Sequence, residues 1–476
     1  MNLSRIIERW AQHTPDKLAL HFQEEDLSYA VLWERVEQTT RELAGLDIGH
    51  GDRIAFLGYN HPQMLVLLFA AARLGALLVP LNWRLTAHEH GVILADCAPK
   101  ALFFEADFAA HAAQLPVASR LALEEALAES EPRLTGCDDD EVLIVYTSGT
   151  TAAPKGAVLT QSALLWNGYN SIHAHDLRQD DRVLSPLPMF HVGGLNNQTL
   201  PALLAGASAL LERRFEPGVW LADVAAHRPT LSLLVPATMQ AVIQHPDWGA
   251  TDLTSLRMLS TGSMVVPESL IRAFHARGVP VGQIYGATET APLAAVLMAH
   301  DAYAKVGSAG KPVLHCEVRI VDAEIQVRGP NVMCRYWNNP AATAAAFAMD
   351  GWFRTGDLGR WDADGFLWID GRSKDLIISG GENIHPAELE NVLADCAAIA
   401  ECAVIGIEDP KWGEAACAVV VRKPGAVLDE AAVLALFSER LARYKHPRRV
   451  VFADSLPKNA MGKVQKFELR NRLMPS

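Results

Sequence analysis

Short apolar runs alternate with longer stretches of helical periodicity along most of the chain. The runs are four or five residues long and rich in large apolar and β-branched side chains, which is typical of buried strands. Between residues 32 and 43, by contrast, the apolar positions recur with the period of a helix. The runs predicted as strands are 53–57, 101–104, 142–145, 231–235 and 256–259. This alternation predicts an α/β fold.

Polar or aromatic residues that suit ligand binding follow several apolar runs directly. They include Thr147, His191, Thr261 and Tyr285. Parallel strands joined by helices place their ligand loops at the carboxyl ends of the strands. We therefore expect these four positions to face one cleft.

The longest apolar stretch, residues 64–81, is interrupted by Arg73, Gly75 and Pro80. A helix followed by a buried strand explains this stretch better than a membrane span does. The first seventeen residues carry five charges and lack the continuous apolar core of a secretory signal. We therefore expect a cytoplasmic protein with no transmembrane segment.

Composition and charge limit the kinds of partner and metal that the protein is expected to bind. The chain has 476 residues, of which 50% are hydrophobic and 20% charged, and its formal net charge is -13. This charge argues against a nucleic-acid partner, since no broad basic surface is expected. The seven cysteines are dispersed without any C-x-x-C pair, which favours reduced thiols and argues against a zinc site.

A shift in composition near residues 370–385 predicts a domain boundary, which we place between residues 373 and 374. The hundred or so residues after it contain two helical patterns, at 386–396 and 430–444, and two apolar runs, at 403–407 and 416–421. These elements suit a small α+β unit. The predicted domains are residues 1–373 and 374–476.

A loop of small and hydroxylated residues follows the apolar run 142–145. It contains, in order, Thr147, Ser148, Gly149, Thr150, Thr151 and Lys155. Backbone N–H groups, hydroxyls and one ammonium can together cradle a phosphate. The loop is not a P-loop of the Walker type, because Lys155 precedes Gly156 and does not follow it. Taken alone, it is also typical of an ordinary strand-to-helix turn.

Eight segments in order resemble the ANL superfamily of adenylate-forming enzymes, and most closely its fatty-acyl and feruloyl/aryl-CoA ligases. They are 146–156 (YTSGTTAAPKG), 186–191 (PLPMFH), 285–290 (YGATET), 324–330 (EIQVRGP), 351–357 (GWFRTGD), 370–374 (DGRSK), 380–388 (GGENIHPAE) and the tail around Lys463. The resemblance runs nearly end to end. It implies a large N-terminal domain of several subdomains, with sheets flanked by helices, and a small mobile α+β C-terminal domain.

The resemblance also implies a two-step reaction that uses ATP, Mg²⁺ and coenzyme A. A carboxylate first attacks the α-phosphorus of ATP, which gives an acyl-adenylate and pyrophosphate. The thiol of coenzyme A then displaces AMP. By position in the family motifs, Glu289 contacts the metal, Thr288 the α-phosphate and Lys155 with its loop the β- and γ-phosphates. His191 lies near the acid, and Lys463 donates to a carboxylate and an α-phosphate oxygen.

Other matched positions imply contacts with the nucleoside. Asp357 and Arg372 match the ribose contacts, a sensible pairing because a carboxylate accepts from vicinal hydroxyls while a guanidinium donates. Tyr285 would lie against adenine, and Gly262 and Ser263 resemble the opposite wall. Packing in the core, without any contact to adenine, would also explain why an aromatic residue such as Tyr285 follows a strand.

The second step calls for different contacts around the same intermediate. In the family the C-terminal domain rotates about a hinge, which Lys374 matches here. Rotation would withdraw Lys463 and bring Gly380 and Gly381 beside the pantetheine arm. Three further matches concern coenzyme A itself. Trp412 and Tyr444 resemble positions that border its adenine, and Arg84 one that meets its phosphate, although both aromatic residues could simply seal the small domain.

The acid pocket is expected from residues 192–200, 235–239 and 286–292, where no Arg or Lys could pair with a second carboxylate. Acetate-specific relatives carry a bulky aromatic residue at the position of Gly286, so glycine implies a deeper pocket. The acid is then a medium- or long-chain fatty acid or an aryl acid.

Three other activities remain open on these motifs: loading of a carrier protein in trans, a luciferase reaction, and a silent binding protein. A homodimer is possible. Two departures from the family pattern are Ala152 in the phosphate loop and Ala323, each where glycine is common.

Overall fold

Strands alternate with helices through most of the chain, and the computed structural model describes residues 2–147, 154–264, 266–379, 382–438, 440–459 and 462–473. The predicted α/β class is confirmed. Within these ranges the helices are α1 (Arg5–His13), α2 (Tyr29–Gly45), α3 (Pro62–Leu74), α4 (Ala87–Cys97), α5 (Ala109–Ala112), α6 (Gln161–His175), α7 (Val192–Gly194), α8 (Leu200–Leu204), α9 (Pro217–His227), α10 (Pro236–Gln244), α11 (Glu268–His275), α12 (Pro340–Ala346), α13 (Pro386–Ala394), α14 (Glu430–Ala435) and α15 (Lys466–Leu473).

The strands form four sheets. Over the same ranges they are β1 (Leu18–Phe22), β2 (Glu25–Ser28), β3 (Arg53–Leu57), β4 (Leu77–Leu81), β5 (Ala101–Phe104), β6 (Ser119–Ala122), β7 (Glu141–Thr147), β8 (Lys155–Thr160), β9 (Arg182–Ser185), β10 (Ser208–Leu211), β11 (Leu231–Leu233), β12 (Met258–Gly262), β13 (Val281–Tyr285), β14 (Ala295–Val296), β15 (Lys311–Pro312), β16 (Glu317–Val321), β17 (Glu324–Arg328), β18 (Arg335–Tyr336), β19 (Phe353–Trp361), β20 (Leu367–Arg372), β21 (Ile377–Ser379), β22 (Glu382–Ile384), β23 (Ile399–Asp409), β24 (Gly413–Arg422) and β25 (Arg449–Phe452).

Two large sheets dominate the first part of the chain. One has the strand order β15-β14-β13-β12-β11-β9-β10-β1-β2 and the other β18-β8-β7-β4-β3-β5-β6. The main apolar core contains side chains from both, such as Leu20 and Leu231 of the first and Ile54 and Leu143 of the second. Helices α2, α3, α6 and α8 contribute to the same core. Thr147 and Tyr285, two of the positions expected to face one cleft, are the last residues of β7 and β13, one in each large sheet.

The stretch 64–81 is a helix followed by a strand, as predicted. Helix α3 begins with Pro62 at its first turn, where the missing N–H has no intrahelical partner in any case. It ends at Gly75, whose φ of 71° suits the left-handed cap that glycine adopts without strain. Strand β4 follows and is buried along its whole length. Among the helices of the described ranges, none is long and apolar enough to cross a membrane.

A four-stranded antiparallel sheet, β16-β17-β19-β20, ends at Arg372. The next strand begins at Ile377 and belongs to a separate sheet, in which β22-β21-β24-β23 are neighbours and β25 pairs with β24. That last sheet has its own apolar clusters. The structure thus places a change of sheet near the predicted domain boundary, and the boundary itself stays a prediction.

One expectation about local structure is wrong. The pattern at 430–444 is not one helix, because α14 ends at Ala435 and, among the residues described, only a 3₁₀ turn, Arg443–Lys445, follows before residue 446. For the loop after β7, the alternative of a strand-to-helix turn does not apply, because Thr147 pairs with Lys155 across the antiparallel strands β7 and β8. The loop therefore connects a hairpin.

Candidate active site

An ion pair joins the last two strands of the four-stranded sheet. Asp357 and Arg372 lie opposite each other in the register of β19 and β20, and Arg372 Nε is 2.7 Å from Asp357 Oδ1. The Tyr285 hydroxyl, at the end of β13, donates to Asp357 Oδ2 at 2.9 Å. Burial raises the pKa of Tyr285, and the Asp357 carboxylate raises that of Arg372. The three predicted nucleoside contacts are therefore in direct contact with each other.

Glu289 lies in a 3₁₀ turn, Thr288–Thr290, that follows β13 closely. Its Oε1 accepts a hydrogen bond of 2.6 Å from the hydroxyl of Tyr336. The guanidinium of Arg372 acts on both Glu289 and Tyr336 electrostatically. Burial, followed by the charge of Glu289, raises the pKa of Tyr336, so this tyrosine is a neutral donor. With one acceptor site of Oε1 taken by this hydrogen bond, the carboxylate keeps further oxygen lone pairs that could hold a hard cation such as Mg²⁺.

Tyr336 is a site residue that the sequence motifs did not reveal. It reaches Glu289 because β18 pairs with β8, the strand that begins with Lys155. Lys155 Nζ lies 5.4 Å from the centroid of the Tyr336 ring. The only sequence signal is an aromatic residue shortly after the matched segment 324–330, and its partner strand lies far away in sequence.

The phosphate loop is described only at its two ends. The Thr147 hydroxyl donates to the carbonyl oxygen of Lys155 at 3.3 Å, which closes the base of the hairpin. Ser148, Gly149, Thr150 and Thr151, together with Ala152, lie outside the described residues. Their predicted contacts with phosphate stay predictions.

Lys463 lies in a turn that its own backbone closes. The N–H of Lys463 donates to Asn459 Oδ1 at 2.9 Å, and the N–H of Asn459 donates to the Lys463 carbonyl at 2.8 Å. Burial, and after it the positive charge of Arg372, lower the pKa of Lys463 to about 8. Asp357 acts in the opposite direction. The ammonium group is thus within electrostatic reach of the Asp357–Arg372 pair.

His191 caps the short helix α7. Its Nδ1 accepts from the N–H of Gly193 at 2.9 Å, so the proton of the neutral ring is on Nε2. Burial, and to a lesser extent the charge of Lys463, lower the pKa of His191 to about 4. At neutral pH the ring is therefore uncharged and offers one N–H donor, which suits a carboxylate.

Two glycines of the predicted pocket are explained by close backbone approach. A Cβ at Gly262 would lie 2.5 Å from the carbonyl oxygen of Ile284, and one at Gly286 only 1.6 Å from that of Pro292. Neither position has room for any side chain. Gly286 is therefore required by packing, and its presence does not by itself indicate a deeper pocket. Ser263, beside Gly262, has a positive φ of 74°.

A cavity of about 260 Å³ lies between the large domain and the C-terminal tail. Arg84, Arg213, Arg214 and Gly462 line it together with several apolar residues. A Cβ at Gly462 would lie 3.5 Å from that of Ala237, so the tail touches the large domain here. The sequence analysis did not single out Arg213 and Arg214, although two consecutive arginines soon after an apolar run are a recognisable signal.

The partners of these arginines differ. The guanidinium of Arg84 stacks on Trp83, 4.4 Å from the ring centroid, and burial lowers its pKa. Arg213 Nη2 lies 2.6 Å from Glu105 and 2.8 Å from Asp107. The cavity wall is cationic but balanced in part by carboxylates.

Other predicted coenzyme A contacts lie elsewhere in this arrangement. Trp412 and Tyr444 do not line the cavity. The Arg448 guanidinium lies 5.1 Å from the Trp412 ring centroid, and Tyr444 is exposed. Lys374 follows Arg372 in a 3₁₀ turn, Ser373–Asp375, and burial followed by the charge of Arg372 lowers its pKa. Gly380 and Gly381 lie outside the described residues.

The predicted acid pocket borders a π-helix, Leu195–Thr199, whose residues are all buried. Turns of this kind are uncommon and occur often at functional sites. Leu187, Leu233 and Val235, with Ile284 beside them, form an apolar cluster that is separate from the main core. The segment after His191 and the ends of two strands therefore enclose a small apolar compartment.

Two family profiles together match most of the chain. A profile described as AMP-binding enzyme matches residues 7–337, and one described as AMP-binding enzyme C-terminal domain matches residues 388–463. An indoleacetate–CoA ligase of Aromatoleum aromaticum is 49% identical over 99% of this chain and 98% of its own length. A feruloyl-CoA synthase of Amycolatopsis sp is 41% identical over 98% of this chain and 97% of its own length.

Among solved structures, an o-succinylbenzoate CoA synthetase from Bacillus subtilis, in complex with its acyl-adenylate intermediate, superposes with a TM-score of 0.90. It is 32% identical, and the match covers 99% of this chain and 98% of that one. Sequence and structure thus agree over nearly the full length.

Proposed function

The chain belongs to the AMP-binding enzyme family and is an ATP-dependent acid–CoA ligase, and on that premise we propose that it activates an aryl acid. The similar proteins named above act on indoleacetate, ferulate and succinylbenzoate, all of which carry a ring. The apolar cluster of Leu187, Leu233 and Val235 offers a matching surface. These similarities do not favour carrier-protein loading, light emission or a silent protein.

One observation carries the proposed chemistry: Lys463, from the C-terminal tail, acts electrostatically on both His191 and the Asp357–Arg372 pair. A cation and a neutral N–H donor thus converge beside the nucleoside contacts. In the first step the acid's carboxylate oxygen bonds to the α-phosphorus of ATP, and the bond to pyrophosphate breaks. Lys463 would offset the negative charge that builds up on the α-phosphate oxygens.

We assign the remaining adenylation contacts to residues around Glu289. Its carboxylate would hold Mg²⁺, which offsets phosphate charge when it is bound. Lys155 and the loop that precedes it would bind the β- and γ-phosphates, and Thr288 the α-phosphate. Asp357 and Arg372 would orient the ribose, with adenine between Tyr285 and the Gly262–Ser263 wall. Fixed positions of this kind lower the barrier by orienting the acid in line with the leaving group.

The second step forms the thioester. The thiol sulfur of coenzyme A bonds to the acyl carbon, the carbon–oxygen bond to AMP breaks, and the thiol proton is lost. The cationic cavity of Arg84, Arg213 and Arg214 is suited to the phosphates of coenzyme A. We propose that rotation about Lys374 then carries Trp412, Tyr444 and the segment of Gly380 and Gly381 to the coenzyme.

The test is AMP release from ATP and Mg²⁺ over indoleacetic, cinnamic, benzoic and fatty acids, with and without coenzyme A, and with products identified by mass. We expect turnover that depends on coenzyme A and is fastest with aryl acids. Preference for a fatty acid would contradict the proposed substrate class. Adenylate formation without any thioester would contradict the ligase assignment itself.

Three further expectations remain proposals. The domain boundary between residues 373 and 374 is tested by limited proteolysis, which should cut there. Cell fractionation tests the cytoplasmic location. Light scattering of the purified enzyme tests the homodimer.

A further inference from the structure

Asp96 lies near the end of helix α4, outside all eight matched segments, and accepts hydrogen bonds from two distant parts of the chain. Its Oδ2 accepts from the hydroxyl of Tyr146, on β7, at 2.6 Å. Its backbone carbonyl accepts from the indole N–H of Trp337 at 3.1 Å and from the side-chain amide of Asn338 at 2.9 Å. One residue thus holds both β7 and the segment that follows β18.

These contacts enclose the beginning of β8, which lies between β7 and β18 in the sheet. Tyr146 stands opposite Gly156 in the register of β7 and β8, and the backbone N–H of Trp337 donates to the Gly156 carbonyl at 2.7 Å. A Cβ at Gly156 would lie 3.0 Å from Cζ of Tyr146, so the ring packs directly against this backbone. Gly156 is therefore held between two elements that Asp96 contacts.

The neighbours of these anchored residues are the ones assigned to the phosphates and the metal. Lys155 directly precedes Gly156, and Tyr336 directly precedes Trp337. The ammonium of Lys155 lies 5.4 Å from the ring centroid of Tyr336, whose hydroxyl donates to Glu289 at 2.6 Å. A shift of β8 or β18 would displace one of these groups, and small displacements of positioned groups slow a reaction strongly.

The hydrogen bond between Tyr146 and Asp96 is the part of this arrangement that a single substitution can remove. Burial raises the pKa of Tyr146, so its hydroxyl is a neutral donor. A bond of this kind to a carboxylate is stronger than one between two neutral groups. The contacts of Trp337 and Asn338 with the backbone carbonyl do not depend on the side chain at position 96.

We propose that Asp96 is a positioning residue for the binding of ATP with Mg²⁺. By holding Tyr146 and the segment of Trp337, it fixes Lys155 for the β- and γ-phosphates and Tyr336 for the metal ligand Glu289. This inference rests on the proposed ligase function. Thioester formation involves neither the β- and γ-phosphates nor their metal, so it does not depend on Asp96.

The test separates the two half-reactions in Tyr146→Phe and Asp96→Ala. We expect each variant to raise the KM for ATP at saturating Mg²⁺ about tenfold, and to weaken ATP binding in titration calorimetry without acid by a similar factor. The rate of thioester formation from a supplied acyl-adenylate and coenzyme A should stay unchanged. The double variant should lose little more than either single variant, because both changes remove the same bond.

Two further variants distinguish positioning from general damage. Asp96→Asn keeps an oxygen that can accept from Tyr146, so it should retain most of the affinity for ATP. Tyr29→Phe is the matched control, because Tyr29 is also buried and its hydroxyl donates to the carbonyl of Ala207 at 2.7 Å, between α2 and the turn before β10. It should leave the KM for ATP unaltered.

Three outcomes would overturn the inference. An unchanged affinity for ATP in Tyr146→Phe would do so even if Asp96→Ala does not fold. An equal loss in both half-reactions, or an equal loss of ATP affinity in Tyr29→Phe, would assign the effect to general destabilisation. Absence of adenylation in the unaltered enzyme with every acid of the panel would overturn the proposed function as well, which separates the two failures.

Discussion

At the scale of single residues, Tyr336 contacts the predicted metal ligand, Glu289, directly. Its hydroxyl donates to Glu289 Oε1 at 2.6 Å, and a hydrogen bond to a charged group contributes about 1.5–3 kcal/mol. We expect Tyr336→Phe to raise the Mg²⁺ concentration for half-maximal adenylation by about tenfold or more, because the carboxylate loses its fixed orientation. Calorimetric titration of Mg²⁺-dependent ATP binding should show a parallel loss of affinity.

Tyr169→Phe provides the control for this change, since Tyr169 is 41% exposed and its ring packs only beside Trp166 among the described aromatic contacts. It should leave the Mg²⁺ dependence unaltered. An unchanged Mg²⁺ requirement in Tyr336→Phe would show that Glu289 needs no support from the tyrosine.

The order of the matched sequence motifs predicts some site residues but not others, and the reason is physical. Asp357, Arg372 and Lys463 fall in matched segments, and the structure brings all three together. Tyr336 was not singled out, because its contact with Glu289 arises from strand register. Such features depend on residues that are distant in sequence.

At the scale of elements, the hairpin of β16 and β17 carries local strain. Asp322 and Ala323 form its two-residue turn, with φ of 48° and 65°. A turn with two positive φ values favours glycine at its second position, and the left-handed conformation costs alanine about 1 kcal/mol. We expect Ala323→Gly to raise the free energy of unfolding by about 1 kcal/mol, as measured by urea denaturation.

The matched control is Ala344→Gly, in the exposed part of helix α12. Glycine in a helix interior costs about 1 kcal/mol relative to alanine, so this change should act in the opposite direction. If both variants lower the free energy of unfolding, the turn is not strained.

Elements with a strong local signal were predicted closely. The runs 53–57 and 101–104 coincide with β3 and β5, and the helical pattern 32–43 lies inside α2. Apolar content alone identifies such strands because both of their faces are buried. The order of strands in each sheet, and the division of 430–444, depend on contacts across the chain and carry no local signal.

At the scale of the whole molecule, we propose that the C-terminal tail serves the first half-reaction only. We expect Lys463→Ala to abolish adenylate formation and to spare thioester formation from a supplied acyl-adenylate, because the ammonium acts on the α-phosphate. Losing one preorganised charge of this kind typically slows the step about 10²- to 10³-fold. The two steps are measured separately, by pyrophosphate release and by thioester mass.

Lys458→Ala controls for damage to the tail, since Lys458 pairs with Glu401 at 2.7 Å within the C-terminal domain. Both half-reactions should persist in that variant. An equal loss of both steps in Lys463→Ala would contradict the division of labour between two domain arrangements.

The crowding of Arg372, Lys374 and Lys463 couples domain position to nucleotide charge. Each of the first two lowers the pKa of the third, so the three cations oppose their own assembly. An anion bound among them relieves that repulsion and stabilises the closed arrangement by the same free energy with which closure strengthens its binding. We therefore expect an anion held among these residues to favour the closed arrangement, and its departure to favour opening.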